Sequence, residues 1–253
     1  VTGPINYIES HDENRLAYQS TEFQGHSLEE AYKRSMIGSS ILFTSHGVPM
    51  IYQGQELGQN SPGRDSGGYP IPQPVQWSNL ETELASNLNE HYKKVLSLRN
   101  NYSVLKESAM DIKYSDNGTK SIVYWRANDD EKIVVAINLD TDDHVLDIQF
   151  PQSGSWVDLI NDIEIDIDSD WYGGFNLSAL TSYIFIQDDN SSCLLGDVTL
   201  DGMINVLDIV NLVNYIFGVP FNDESQLCAA DLNGDGIINV IDIVNLVNII
   251  LSL

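Results

Sequence analysis

Oxygen-bearing side chains recur at fixed positions in two similar segments near the end of the chain. "GDVTLDGMINVLDIVNLVNYI" covers residues 196–216, and "ADLNGDGIINVIDIVNLVNII" repeats it at residues 230–250. In each copy, side-chain oxygens fall at loop positions 1, 3, 5, 9 and 12, glycine occupies position 6, and position 7 offers its backbone carbonyl. The predicted ligands are Asp197, Thr199, Asp201, Met203, Asn205 and Asp208 around Gly202, and Asp231, Asn233, Asp235, Ile237, Asn239 and Asp242 around Gly236. Because Ca²⁺ takes roughly six to eight oxygen ligands, the repeat predicts two calcium sites.

Each loop leads into a segment with apolar residues at helical spacing, namely Ile209, Val213 and Ile216 in one copy and Ile243, Val247 and Ile250 in the other. The alternative is a pair of Asx-rich turns that bind no metal, and two copies in register with three carboxylates each argue against it. Without a cation these carboxylates would repel one another, and a segment of about 60 residues has a small core. We therefore expect metal binding and folding of this module to be one event.

The chain has two cysteines, Cys193 and Cys228, which lie just before the two loops. They are either two free buried thiols or a disulfide that ties the entry of the repeat module to its middle. Paired cysteines typically form disulfides in chains that work outside the cell, and we predict the disulfide here. It would contribute about 2–4 kcal/mol to stability.

Near the other end, His11 and Asp12 follow the apolar run Ile5 to Ile8, which predicts a short buried strand. Such a pair can donate, accept and hold charge, although a polar pair after a strand is also a common turn or cap. The elements that follow are a helix over 27–44 with a Ser27–Glu30 capping box, a strand over 48–53, a loop over 57–74 and a helix over 81–100. This alternation predicts parallel βαβ packing.

The rest of the chain changes period after residue 100. Short segments rich in Val, Ile, Tyr and Trp, such as "SIVYWRA" and "TSYIFIQ", are separated by turn clusters such as "DNGT". They predict an antiparallel β-sandwich, followed by a polar linker at 187–192. Two strands alone make no stable sheet, so residues 1–100 look like the end of a larger α/β domain. We predict three domains, at 1–100, 101–190 and 191–253.

Charge limits the classes of partner. The net charge is −25, and residues 133–253 contain 20 acidic and no basic residues. Such a field repels phosphate backbones, so we expect no nucleic-acid binding. No apolar run reaches about 18 residues, so we expect no membrane span. The chain starts with Val rather than Met, and we expect that its natural N-terminus, with any signal peptide, is missing.

The duplicated loops over 195–252 resemble the type I dockerin module, a duplicated calcium loop that carries enzymes into cellulosome-like assemblies by docking onto a cohesin domain. The resemblance implies a cohesin partner, and implies that loop positions 10 and 11 recognise it. These positions hold Val206–Leu207 and Val240–Ile241, where the family often has a hydroxyl pair. An apolar contact patch and an interior role for these residues both remain open.

The motifs before residue 100 resemble the end of the catalytic barrel of α-amylase family glycoside hydrolases. The strand ending in His11–Asp12, the helix, "GVPMIYQGQELG" at 47–58 and "VQWS" at 75–78 follow the order of that family's last two barrel strands. The sandwich is similar to the family's C-terminal β domain. The resemblance spans residues 3–188 and implies a partial (β/α)8 TIM barrel comprising its last two βα units.

By this resemblance, Asp12 is the third carboxylate of the catalytic set, and His11 binds the sugar in the −1 subsite. Tyr52 either lines the sugar cleft or is a buried aromatic residue. Arg64, with Asp65, either borders the substrate groove or forms an exposed ion pair within its loop. The nucleophile and the acid/base would both precede Val1, so we expect the chain to be inactive alone. We interpret Glu9 and Glu13 as local support.

The combined interpretation is a secreted enzyme that hydrolyses α-1,4 bonds of α-glucans with retention, tethered through its dockerin-like module. One alternative is a transglycosylase or isomerase of the same family. Another is a non-catalytic, calcium-dependent binding or tethering protein. A third keeps the calcium repeat as a stability clip that has no cohesin partner.

Overall fold

The computed structural model describes residues 3–68, 71–72, 74–129, 131–188, 194–221 and 224–252. The chain divides into two compact units, Val1–Gln187 and Asp188–Leu253, which we call unit 1 and unit 2. The junction predicted near residue 100 lies inside unit 1. The described helices include none with the length and apolar character of a membrane-spanning segment.

Unit 1 begins with a parallel strand–helix–strand arrangement. Strand β1 (Ile5–Tyr7) is followed by the short helix α1 (Leu16–Tyr18), a π-helical turn (Gln19–Phe23), helix α2 (Leu28–Thr44) and strand β2 (Val48–Met50). Strands β1 and β2 pair in parallel, with Ile5 opposite Val48. Both strands are shorter than the predicted Ile5–Ile8 run and 48–53, and within the described residues each has one neighbouring strand to pair with. The predicted burial of β1 is wrong, because Ile5 and Tyr7 are exposed.

Capping residues fix the starts of the two long helices. The Ser27 hydroxyl accepts from the Glu30 backbone N–H at the start of α2, as the capping box predicts. The Glu30 carboxylate turns along the helix and binds Arg34. Two 3₁₀ turns (Gln55–Leu57 and Trp77–Glu81) precede helix α3 (Glu83–Asn101), and helix α4 (Val104–Glu107) follows it. The Thr82 hydroxyl caps α3.

Eight strands then form two antiparallel layers. They are β3 (Met110–Asp116), β4 (Ser121–Ala127), β5 (Lys132–Asn138), β6 (His144–Gln149), β7 (Gly154–Asp158), β8 (Ile163–Ile167), β9 (Trp171–Leu177) and β10 (Thr181–Asp188). Six strands form a sheet in the order β3-β4-β5-β10-β7-β8, and β6 pairs with β9 in a separate two-stranded ladder. The pairings β3–β4, β4–β5, β5–β10, β7–β8 and β6–β9 are all antiparallel, which fits the predicted β-sandwich.

Strand β5 shows how the layers share one core. Successive side chains of a strand point to opposite faces, so a strand covered on both sides is apolar at every position. Ile133, Val135 and Ile137 pack with the helices α2 and α3. Val134 and Ala136 pack on the opposite face, with Trp156 and side chains of the β6–β9 ladder. The helical part and the sandwich therefore share the six-stranded sheet as their common layer.

Two buried arginines join the helices to this sheet. Arg126 on β4 donates to the carbonyls of Thr44, at the end of α2, and of Val104 and Leu105 in α4. Arg99 on α3 donates to the Phe43 and Ser45 carbonyls. A positive charge at a helix C-terminus satisfies its unpaired carbonyls. Burial, and next the Arg99 charge, lower the pKa of Arg126 to about 10.

The described residues of unit 2 form the two loops and the helices α5 (Val206–Ile216), α6 (Glu224–Ala230) and α7 (Val240–Ser252). Val198, Leu212, Ala230 and Leu246 are its fully buried centre, with Ile209, Ile216, Ile243 and Ile250 packed around them. The predicted helices after the loops are α5 and α7. Helix α6 was not predicted from the repeat, and its Gln226 side chain donates to the Val198 carbonyl.

Candidate functional sites

Asp12 lies five residues beyond the end of β1, in a turn at the strand's carboxyl end. Its side chain is 57% exposed and borders an open cleft of about 700 Å³. Asn14, Gln19, Arg34 and Arg64 also line this cleft, together with the adjacent Glu13. The cleft therefore combines carboxylates, amides and guanidinium groups, which can bind a hydroxylated ligand.

Two cationic or proton-donating groups flank the Asp12 carboxylate. Arg64 Nη2 donates to Asp12 Oδ1 at 3.0 Å, and His11 Nε2 lies 3.3 Å from Oδ2. Arg64 Nη1 donates to the Gly68 carbonyl, which fixes the guanidinium within its own loop. The structure thus brings together His11, Asp12 and Arg64. Arg64 forms a salt bridge with Asp12, which lies on another loop, in addition to its contact within its own loop.

The Arg64 loop is held tightly against the Asp12 turn. The Asn14 side-chain oxygen accepts from the Gly63 backbone N–H at 2.9 Å, and the Arg15 N–H donates to the Ser61 carbonyl at 3.2 Å. A Cβ on Gly63 would collide with the Glu13 carbonyl, so only glycine permits this approach. Sequence reasoning missed Asn14 and Gly63, because no local pattern links two loops that far apart.

Glu9 and Arg15, which precede and follow the Asp12 turn, form a buried ion pair, and Arg15 also contacts Tyr52. Arg15 Nη1 donates to Glu9 Oε2 at 2.9 Å, Nη2 donates to the Gln53 carbonyl, and the guanidinium lies 4.1 Å from the centre of the Tyr52 ring. Burial raises the pKa of Glu9 against the opposing effect of Arg15. Tyr52 is half-buried beneath Arg15 and is absent from the cleft lining among the described residues. Tyr52 was predicted either to line the sugar cleft or to be a buried aromatic residue, and this position favours the structural role.

The two loops of unit 2 repeat the same hydrogen bonds. At position 1, Asp197 accepts from the backbone of Asp201 and Gly202, as Asp231 does from Asp235 and Gly236. At position 12, the carboxylates of Asp208 and Asp242 are fully buried and accept from the position 9 N–H. Gly202 and Gly236 adopt φ of +82° and +77°, which a side chain would strain.

These loops fit a hard cation by their donor chemistry. Each loop offers carboxylates at positions 1, 5 and 12, a hydroxyl or amide at position 3 and the backbone carbonyl of position 7, which are the oxygen donors that Ca²⁺ prefers. Among the described residues, no group of three His, Cys, Asp or Glu side chains is placed to hold a metal ion, so the fit rests on the types of the donors and their spacing. The side-chain oxygen of Asn205 accepts from the Leu207 N–H at the start of α5, and that of Asn239 accepts from the Ile241 N–H. Because these oxygens are engaged, position 9 suits coordination of the metal through a water molecule.

The residues at loop positions 10 and 11 are exposed rather than interior. Val206, Leu207, Val240 and Ile241 all leave more than half of their surface to solvent, as do Val210 and Val244 one turn later. The alternative of an interior role within unit 2 is therefore wrong, and an apolar patch remains. Cys228 is disulfide-bonded, and Cys193, its predicted partner, lies outside the described residues, so that pairing stays a prediction.

Comparison with known proteins identifies two families along the chain. Residues 112–194 match the alpha amylase C-terminal all-beta domain, and residues 195–251 match the dockerin type I domain. The resemblance of the duplicated loops to a dockerin and that of the sandwich to the amylase C-terminal β domain are therefore confirmed.

Two curated relatives match part of the chain. A cyclomaltodextrinase from a Bacillus species is 29% identical over 143 residues, which are 56% of this chain and 23% of that protein. A 4-alpha-glucanotransferase from Thermotoga neapolitana is 40% identical over 81 residues, which are 32% of this chain and 17% of that protein. The chain thus spans less than a quarter of the length of either relative.

Solved structures share the fold of nearly three quarters of the chain. The α-amylase from Geobacillus thermoleovorans, in complex with acarbose, aligns with a TM-score of 0.56 at 19% identity, over 72% of this chain and 38% of that chain. AmyP in complex with maltose aligns with a TM-score of 0.61 at 14% identity, over 73% and 40% of the two chains. At these identities the likeness is one of fold.

Proposed function

Because an alpha amylase C-terminal all-beta domain is joined here to a dockerin type I domain, we propose that the chain is the C-terminal part of a secreted retaining hydrolase of α-1,4-glucosidic bonds. Residues 1–100 are then the last two βα units of a (β/α)8 barrel. The parallel β1–α2–β2 arrangement and the position of Asp12 beyond β1 support this assignment. In such barrels the active site lies at the carboxyl ends of the strands.

The position and contacts of Asp12 carry the proposal. Cleavage of a glycosidic bond develops positive charge on the sugar ring, and a fixed carboxylate beside the ring stabilises it. Arg64 and His11 orient the Asp12 carboxylate at the rim of the cleft. Asp12 also accepts hydrogen bonds from sugar hydroxyls, and His11 donates one at the same subsite. Arg64 borders the groove, whereas Tyr52 supports it from behind.

Catalysis needs two further carboxylates, a nucleophile and an acid/base, which the family resemblance assigns to preceding strands. We therefore expect no hydrolysis by the 253-residue chain alone. The test is proton NMR of maltoheptaose hydrolysis by the intact enzyme that contains this chain. The α-anomer should form first, as retention requires, and first formation of the β-anomer would refute the proposed mechanism.

Transglycosylation is a second candidate, favoured by the 40% identity to a 4-alpha-glucanotransferase. The cleft contacts of Asp12 suit both reactions, since both pass through the same type of transition state. Product analysis of the intact enzyme with maltotriose separates them. Hydrolysis yields only shorter sugars, whereas transfer yields longer ones at the same time.

The loops of unit 2 are proposed to bind two Ca²⁺ ions, one in each loop. When bound, calcium neutralises the carboxylates and holds each loop on its helix. Calorimetric titration of the chain with Ca²⁺ should give two sites, and one site after Asp208→Ala. Asp166→Asn is the control, because that side chain lies on β8 in unit 1.

The exposed apolar positions 10 and 11 are proposed as the contact with an extracellular cohesin partner. Capture of the chain by a panel of cohesin domains should require Ca²⁺ and fail with a chelator. A variant with Val206→Asp and Val240→Asp should lose capture while still binding two Ca²⁺ ions. Unchanged capture by this variant would remove these positions from the interface, and no capture by any cohesin would favour the stability-clip alternative.

A further inference from the structure

The β6–β9 ladder has a polar outer face with one exposed aromatic ring. Ile148, Phe175 and Leu177 of this ladder point inward to the sandwich core. Alternation along β6, and along β9 from Leu177 to Gly174, places the other set on the outer face. A register shift between Leu146 and Ile148 then changes the phase of β9 beyond its two glycines, so that Tyr172 packs inward opposite Ile148 and Trp171 lies on the outer face opposite Gln149. These outer residues are Val145, Asp147, Gln149, Trp171, Gly174 and Asn176.

This face lies on the side of the six-stranded sheet opposite to the helices. The helices α2 and α3 pack on one face of that sheet, and the β6–β9 ladder packs on the other. The Asp12 turn belongs to the helical side. A ligand on the outer face of the ladder would therefore occupy a surface separate from the candidate cleft.

Trp171 is 52% exposed, and its backbone is fixed by hydrogen bonds. The Ser169 hydroxyl accepts from the Trp171 backbone N–H, and Gln149 is its partner across the ladder. Trp125 Nε1 donates to the Gln149 carbonyl at 2.9 Å, and Lys113 covers the Trp125 ring. The exposed indole thus stands on a braced backbone, which lowers the entropy lost when a ligand stacks on it.

Two glycines, Gly173 and Gly174, follow Trp171 and Tyr172 in β9, and a Cβ on Gly173 would lie 3.6 Å from Asp147 Oδ1. Gly174 has φ of +70°, and a Cβ there would meet nothing within 4 Å. Its N–H donates to Asp147 Oδ1 at 2.8 Å, which orients that carboxylate across the bare backbone. The result is a shallow surface with an aromatic ring at one end and polar side chains along it.

We propose that this face is a secondary binding site for an uncharged oligosaccharide, with one pyranose ring stacked on Trp171 and beside Gln149, and with the hydroxyls of the following sugar units bound by Asp147 and Asn176. A sugar ring has an apolar C–H face and a hydroxyl edge, which match one ring beside polar groups. A protein partner would instead need a contiguous apolar patch. Residues 133–253 contain 20 acids and no base, which disfavours an anionic polysaccharide.

The choice of an α-glucan as ligand rests on the proposed function, whereas the site itself rests on the geometry. The test is affinity electrophoresis of the full chain in gels that contain amylose, dextran or hydroxyethylcellulose. Wild type should be retarded by amylose, and Trp171→Ala should weaken binding about five- to tenfold. Trp77→Ala is the matched control, because that indole is 67% exposed on the helical side.

The outcomes separate the two proposals. Retardation that Trp171→Ala removes and Trp77→Ala leaves intact supports the site. Retardation that depends on Trp171 in hydroxyethylcellulose but not in amylose supports the site and contradicts the α-glucan assignment. No retardation of wild type in any gel, or equal retardation of wild type and Trp171→Ala, overturns the site and leaves the Asp12 cleft to its own test. Unchanged melting temperatures establish that both variants are folded.

Discussion

Arg64 Nη2 lies 3.0 Å from Asp12 Oδ1, across 52 residues of sequence. Two separate features create this contact. The Asp12 turn follows β1, and the Arg64 loop follows β2, so parallel pairing of the strands brings both to one end. The Asn14–Gly63 hydrogen bond then fixes the distance between the two loops. The salt bridge between Arg64 and Asp12 thus depends on two uncharged residues, Gly63 and Asn14.

Removal of the Arg64 guanidinium should impair catalysis in the intact enzyme. Arg64→Ala leaves the Asp12 carboxylate without its strongest orienting contact, so we expect kcat/KM on maltoheptaose to fall about 10–100-fold, with part of the loss in kcat. Arg34→Ala is the control, because Arg34 lines the same cleft but pairs with Glu30. Equal losses in the two variants would show that cleft charge matters and the Asp12 contact does not.

A methyl group on Gly63 should destabilise unit 1. The added Cβ collides with the Glu13 carbonyl, so Gly63→Ala should lower the free energy of unfolding by about 1–3 kcal/mol. Urea unfolding followed by tryptophan fluorescence reports on unit 1, which contains all four tryptophans. Gly118→Ala is the comparison, because its Cβ would be at ordinary contact distance. Wild-type stability of Gly63→Ala would disprove the tight approach of the two loops.

His91 should make the stability of unit 1 sensitive to acid. Burial, opposed by a hydrogen bond to the Met36 backbone, lowers its pKa from 6.5 to about 4, and its Nε2 contacts the Ser40 hydroxyl. Between these pKa values the unfolded chain binds a proton that the folded chain does not. Stability is therefore complete above pH 6.5 and falls as the pH drops towards 4, by up to about 3 kcal/mol from this group.

The measurement is the urea midpoint of unit 1 between pH 7 and pH 4 for wild type and His91→Gln. The variant should lose most of the decline over this interval, because glutamine does not titrate. His46→Gln, at an exposed position, should keep the wild-type profile. Parallel profiles for wild type and His91→Gln would show that other groups cause the acid sensitivity.

Calcium should control the folding of unit 2. Ca²⁺ at a hundredfold excess over its Kd would stabilise the folded module by about 2.7 kcal/mol for each site. Far-UV circular dichroism should show loss of the α5 and α7 helical signal with a chelator and its return with Ca²⁺, but not with an equal concentration of Mg²⁺. Helical content that is independent of calcium would support the metal-free interpretation of the loops.

Features encoded within a short stretch were predictable from the sequence. The repeat, the Ser27 cap of α2 and the alternating strands all depend on residues within one or two turns of each other. Strand β5 lacks the alternation of apolar and polar residues that identifies a half-buried strand, because both of its faces are covered. Its continuous apolar run could be read as a strand only from its length and its β-branched residues.

Features that depend on distant contacts were missed. Arg15, Arg99 and Arg126 are buried, yet in a sequence an arginine indicates a surface position. Each is accommodated by carbonyl groups or a carboxylate that tertiary packing brings to it. The outer face of the β6–β9 ladder was missed for the same reason, since Gln149 and Trp171 meet only after their strands pair.

The most direct test of the account is the kcat of the intact enzyme on maltoheptaose after Asp12→Asn, compared with Glu13→Gln at the adjacent position in the same cleft. If Asp12 stabilises the charge that develops on the sugar, Asp12→Asn lowers kcat about 10²–10³-fold, and Glu13→Gln stays within about twofold of wild type. A kcat for Asp12→Asn equal to that of Glu13→Gln would contradict the assignment of this cleft to glycoside cleavage.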